Sequence, residues 1–194
     1  MTATQHKYHS ALRAPEDSAP QRGFALGSSC AVVHDLTSGP LPAAYGLCDV
    51  LYADLPWGEH GAAQFNKRAG VSIPYRDLLT AVGAIIRAQP QPLVLVAGWR
   101  AAAHLPPPDK RLCVRLNGAL SCALLYRVRL PPARDAADLL HDLATRYHRV
   151  GDFCCGYGRS GRIFWEHGRE FTMSDYNQEC IGYIAAHAAA WQRP

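Results

Sequence analysis

Apolar residues along the chain fall into two recurring arrangements. In the first they run together with little polar alternation: Cys30-Ala-Val-Val-His34, residues 49–53, and Pro92-Leu-Val-Leu-Val-Ala-Gly98. Such runs predict strands buried on both faces of a parallel sheet. In the second arrangement apolar positions return at helical spacing, over 75–88, where the pattern stops before Pro90, and over 134–148. Two further apolar runs, 112–116 and 119–128, flank Asn117-Gly118, a hairpin signal. Residues 170–175 read as a last strand and 177–192 as a last helix. Strands alternating with helices predict an α/β fold with a doubly wound, mostly parallel sheet and one antiparallel strand contributed by the central hairpin.

Composition narrows this only slightly. A chain of 194 residues that is 48% hydrophobic can bury one good core. The reading is therefore a flexible, polar N-terminal arm over 1–27 and a single domain over 28–194. The net charge of +4 suits a polyanionic partner without requiring one. No apolar run approaches the roughly 20 residues of a membrane span, and the first residues lack an apolar signal core. The seven cysteines form no C-x-x-C pair and sit mostly in apolar runs, so they read as small buried hydrophobes of a reducing, cytoplasmic setting. The nine histidines form no H-x-x-x-H pair, and no metal site is expected.

Two stretches carry candidate chemistry. The strand at 49–53 runs into Asp54-Leu55-Pro56-Trp57, which sets a carboxylate, a rigid turn and a large ring at one strand end. Taken alone this is also what an ordinary strand-to-loop turn looks like. The second stretch is Gly151-Asp152-Phe153-Cys154-Cys155-Gly156-Tyr157-Gly158-Arg159-Ser160-Gly161. A strand that ends in G-x-G-x-x-G and opens a helix lets a ligand lie against bare backbone and free N–H groups. Asp175, at the end of the next strand, is placed to accept hydrogen bonds from both hydroxyls of a ribose, or simply to cap the last helix. Together these features argue for a cofactor containing adenosine, NAD among the options.

The pair of stretches, with Phe171-Thr-Met-Ser-Asp-Tyr-Asn-Gln-Glu-Cys-Ile-Gly-Tyr-Ile-Ala185 after them, resembles the S-adenosylmethionine-dependent amino-methyltransferases of DNA. Their catalytic tetrapeptide is D/N/S-P-P-aromatic and their cofactor loop commonly reads D-P-F-C-G-S-G. Here the cofactor strand follows the catalytic strand, as in the permuted β class, and small phage or prophage members are the most similar kind. The resemblance spans about residues 28 to 190. It implies a Rossmann-like methyltransferase fold and transfer of a methyl group to an exocyclic base amine, N6 of adenine ahead of N4 of cytosine. RNA, a protein glutamine, or a catalytically inactive nucleic-acid-binding subunit are the alternatives.

By the same resemblance Asp54, Leu55, Pro56 and Trp57 form the catalytic turn. Asp54 and a backbone carbonyl of Leu55 or Pro56 accept the two amine hydrogens, and Trp57 stacks on a base flipped from duplex DNA. Asp152, Phe153, Cys154, Gly156, Tyr157, Gly158, Gly161 and Asp175 become cofactor-loop and ribose residues, and Asp35 an acid near the cofactor adenine. The sequence departs from the pattern at Leu55, where a proline is usual, and at Phe153-Cys154, where P-F is usual. Lys67 and Arg68, read as part of a loop over 58–74, are candidates for DNA phosphates. Trp99 is read as packing, and Arg100 is left without a role. With only the arm, the 58–74 loop and residues 104–111 to spare, target selection is expected to be relaxed, or to be supplied by a second copy or a recognition partner.

Overall fold

The computed structural model describes residues 23–116 and 119–191. The hairpin turn expected at Asn117-Gly118 and the arm over residues 1–22 lie outside the described residues. Eight strands form one sheet: β1 Gly23–Leu26, β2 Ser29–Val33, β3 Val50–Asp54, β4 Leu93–Ala97, β5 Lys110–Leu116, β6 Ala119–Tyr126, β7 Arg149–Asp152 and β8 Glu170–Asp175. Their order across the sheet is β1-β2-β8-β7-β3-β4-β6-β5. The helices are α1 Glu59–Ala69, α2 Tyr75–Ala88, α3 Trp99–Ala102, α4 Ala136–Arg146, α5 Arg159–Glu166 and α6 Gln178–His187.

The α/β architecture with a mostly parallel sheet agrees with the pattern of apolar runs. β2, β8, β7, β3 and β4 run parallel. The expectation of one antiparallel strand is corrected to two. β6 is the expected one, antiparallel to both β4 and β5. The other is β1, antiparallel to β2. It follows that residues 23–26, assigned above to the arm, belong to the sheet, and Phe24 and Leu26 pack against the core. The two strands are joined by Gly27-Ser28, a two-residue hairpin connection.

Side chains alternate between the two faces of each strand, so the near-continuous apolar runs feed two separate cores. Val50 and Tyr52 join Leu139, Phe164 and Ile181 on the face covered by α4, α5 and α6. Leu51, Ala53 and Leu55 join Leu78, Val82 and Ile86 on the face covered by α2. Asp54 shares the strand parity of Val50 and Tyr52, which turns it toward the side of α5.

The chain leaves β3 for β4 on one side and leaves β7 for β8 on the other. β3 and β7 are direct parallel neighbours, with Tyr52 opposite Asp152. Their crossovers therefore diverge and leave a crevice outside the carboxyl ends of this pair, the point where open α/β sheets bind ligands. Gly151 is required beneath it: a Cβ there would lie 2.8 Å from both Leu51 Cδ2 and Tyr45 Cδ1 and 3.0 Å from Cys48 Sγ. Gly151→Ala is expected to lower stability by about 1–3 kcal/mol through overpacking, read as a lower urea midpoint at unchanged m-value.

Candidate active site

The tetrapeptide after β3 is held at several points. Asp54 is the last residue of the strand, and the Leu55 N–H donates to the Val96 carbonyl at 2.9 Å, carrying the β3–β4 ladder one residue into the turn. A proline at position 55 lacks that donor. The Leu55 side chain is fully buried in the α2-side core. The Pro56 carbonyl accepts a hydrogen bond from Tyr75 Oη at 2.8 Å. The Trp57 carbonyl lies against Gly98, where a Cβ would come within 2.6 Å of its oxygen. Gly98 thus has to be glycine for the turn to sit where it does, although no motif marked it.

Asp54 Oδ1 is sealed from solvent and has no hydrogen-bond partner among the described residues. Leaving a buried acceptor unmet costs about 1–3 kcal/mol, and such exceptions call for an explanation. Burial pushes the Asp54 carboxyl up to about 7, against the opposing pull of the Arg159 guanidinium and of the Trp57 side chain. Arg159 is the exposed first residue of α5. Sequence reasoning passed over it, yet a cation where the helix dipole disfavours one was a readable signal inside the glycine stretch.

The glycine stretch folds as a tight connection from β7 to α5. Gly156 has φ 49° and nothing within 4 Å of its missing side chain, so its backbone faces open space. Gly158 and Gly161 serve packing: a Cβ on Gly158 would meet Ile184 Cγ1 at 2.8 Å, and one on Gly161 would meet Met173 at 2.5 Å. The Gly156 N–H donates to Asp175 Oδ2 at 2.9 Å, while Asp175 Oδ1 accepts from the Asn177 N–H at 2.8 Å. Each Asp175 oxygen keeps a further lone pair for a ligand.

Asp152 turns inward instead. Its oxygens accept from Ser160 Oγ at 2.5 Å and from the Cys154 N–H at 3.0 Å. Burial raises it to about 7, opposed by those two donors and reinforced by the charges of Asp54 and Asp175. Phe153 is fully buried in the α2-side core. Cys154 and Tyr157 are half-buried, and Tyr157 meets Tyr183 edge-on with ring centroids 5.2 Å apart. Burial pushes the Cys154 thiol well up, which keeps it neutral.

Asp35 follows β2, and Val33 pairs with Asp175, so both acids sit at the same edge of the sheet. Asp35 Oδ1 caps its own loop by accepting from the Thr37 N–H at 2.8 Å and Thr37 Oγ1 at 2.7 Å. Lys67 and Arg68 are not in a loop. They form the exposed last turn of α1, which closes on Gly70 in the left-handed region. The Arg68 charge acts on Tyr157 and Cys180, which brings it to the glycine stretch. Trp99, expected to pack, is 52% exposed, as is Trp57 at 36%. Arg100 beside Trp99 is also exposed. Among the described residues no cluster of three or more His, Cys, Asp or Glu is arranged to hold a metal.

No protein-family model matches the chain, and no curated protein matches it. Solved structures with a similar arrangement include M1.HpyAVI, at 15% identity over 71% of this chain and 84% of that one, with a TM-score of 0.46. The complex of M1.HpyAVI with SAM aligns at 12% identity over 73% and 88%, with a TM-score of 0.48. TTHA0409 of Thermus thermophilus, which carries a provisional assignment as a DNA modification methylase, aligns at 16% identity over 76% and 91%, with a TM-score of 0.48.

Burial raises Asp54, Asp152 and Asp175 above the ordinary carboxylate value of 3.8. The stability that Asp54 and Asp152 contribute is fully present below about 4 and is lost as the pH rises through about 7, and Asp175 acts in the same direction. Asp54→Asn is therefore expected to raise the thermal midpoint at pH 8, by about 2–4 °C per kcal/mol regained, and to leave it unchanged near pH 4. Calorimetry at the two pH values checks this.

Proposed function

We propose that the chain is an S-adenosylmethionine-dependent methyltransferase acting on the exocyclic amine of a base in DNA, with N6 of adenine the favoured target. The observation that carries this reading is the unpartnered Asp54 Oδ1 at the end of β3, in a switch-point crevice whose other wall is the glycine stretch after β7. A buried acceptor without a donor, beside a ligand cradle, suits a substrate that brings its own N–H.

The residues fit the cofactor. Gly156 leaves its backbone open, Asp175 keeps two lone pairs for ribose hydroxyls, and the exposed Arg159 of the glycine stretch exerts its charge on Asp54. When bound, S-adenosylmethionine supplies an electrophilic methyl group on a sulfonium. Asp54 Oδ1 accepts one amine hydrogen. The Leu55 carbonyl, next along the chain, accepts the other. Two such acceptors favour a nitrogen that turns tetrahedral and gains positive charge. Asp54, raised to about 7, then takes the proton the amine gives up. The exposed ring of Trp57 offers a stacking surface for a flipped base, and Lys67, Arg68 and Arg100 offer charge for phosphates. N4 of cytosine presents the same two hydrogens, so this apparatus serves it equally. On this reading duplex DNA is the partner, and a second copy or a recognition subunit supplies what the small surface lacks. Among the described residues no helix is long and apolar enough to cross a membrane.

Incubation with labelled S-adenosylmethionine and unmethylated genomic DNA, followed by nucleoside mass analysis, is expected to yield N6-methyladenine. Asp54→Ala is expected to abolish it with cofactor affinity preserved. Asp175→Ala is expected to weaken cofactor binding about tenfold or more, from lost charge-assisted bonds worth about 1.5–3 kcal/mol. An unchanged dissociation constant by calorimetry rejects the ribose assignment. Because Asp54 acts ionised, kcat/KM is expected to climb with pH and level off above about 7. A profile flat from pH 5 to 9 counts against its role.

A further inference from the structure

Resting on the reading above, we infer that Tyr75 is a positioning residue of the catalytic turn, holding by one hydrogen bond the peptide that the backbone leaves free to rotate. The two halves of Asp54-Leu55-Pro56-Trp57 are fixed in different ways. The first half is pinned by the Leu55 N–H on the Val96 carbonyl and by the buried Leu55 side chain. The far end lies close against Gly98, where a Cβ would come within 2.6 Å of the Trp57 carbonyl oxygen. Between them the Pro56–Trp57 peptide is held by neither contact. Proline fixes its own φ but not its ψ, so this peptide plane can turn and carry the Trp57 ring off line.

Tyr75 Oη donates to the Pro56 carbonyl at 2.8 Å and closes that freedom. The tyrosine is well placed for it as the first residue of α2, preceded by Pro74. α2 is bolted to the core by Leu78, Leu79, Val82, Ile85 and Ile86. The intervening α1 buries only Ala62 and gives the turn little support. Burial and the charge of Glu59 raise the Tyr75 hydroxyl to about 12, so it stays a donor across the working range.

Tyr75→Phe removes the hydroxyl and keeps the ring. In the variant, 15N relaxation is expected to show the Trp57 and Gly58 amides falling from rigid order parameters near 0.85 to below about 0.6, with β8 and α6 unchanged. Methyl transfer is expected to lose about tenfold or more in kcat, the scale set by small misplacements of reacting groups. The cofactor dissociation constant should stay within about twofold, since Tyr75 lies outside the glycine stretch. Unaltered order parameters at Trp57 and Gly58, or a loss spread over the whole sheet, overturns the inference. A wild-type protein that methylates no base overturns the function reading instead, and the relaxation data still decide the clamp.

Discussion

Parallel pairing of β3 with β7 places Tyr52 opposite Asp152, and the crevice follows from that register. Because the two strands send their crossovers in opposite directions, the segments that follow them are what flanks their carboxyl ends among the described residues. Those segments are the Asp54 turn and the glycine stretch. A shift of one residue in the pairing would turn every side chain of β3 to the other face of the sheet. Asp54 would then point away from α5 and from Arg159. The apolar alternation that sorts Val50 and Tyr52 from Leu51 and Ala53 into separate cores is therefore also what aims the acid. Gly151, directly across from Leu51, lets the pair approach without displacing Tyr45.

The same geometry concentrates three carboxylates at one end of the sheet, and their partners separate their roles. Asp152 spends both oxygens on Ser160 and Cys154 and braces the start of the glycine stretch. Asp175 ties Gly156 to the start of α6 and keeps part of its capacity outward. Asp54 keeps an oxygen bare. Three acids of similar type thus read as brace, tether and unmet acceptor. Burying them costs stability at neutral pH, a cost that functional crevices commonly carry.

Much of the sheet was legible because its strands are apolar on both sides. β4, β8 and α2 fall where the apolar pattern placed them, and the helix over 75–88 agrees with Tyr75–Ala88. What escaped was built from other forces. α1 has no core stripe, since it buries only Ala62 and leaves Phe65 in solvent, so its evidence was the Gly70 terminus and the basic last turn. β1 is four residues at the edge of a polar arm, and pairing with β2 rather than its own composition makes it a strand. In the candidate site, the glycines and Asp175 were singled out by their spacing, and Asp54 by the resemblance of its tetrapeptide. The bond from Tyr75 to Pro56, the close approach of Gly98 and Trp57 and the effect of the Arg159 charge on Asp54 exist only once distant segments meet. Phe153 illustrates the converse: its place in the motif suggested the cofactor, and its side chain fills the core.

The strand order also bears on how the molecule comes into being. β2 and β3 follow one another along the chain, yet β8 and β7 stand between them in the sheet. A ribosome emits β2, β3, β4 and the hairpin while that central gap is still empty, and the two strands that fill it arrive last. The slot must stay open, or reopen, for an insertion between partners far away in sequence, a topology that folds slowly. During synthesis the acid turn is therefore made long before its opposite wall, and the crevice exists only once β7 and β8 have entered the gap.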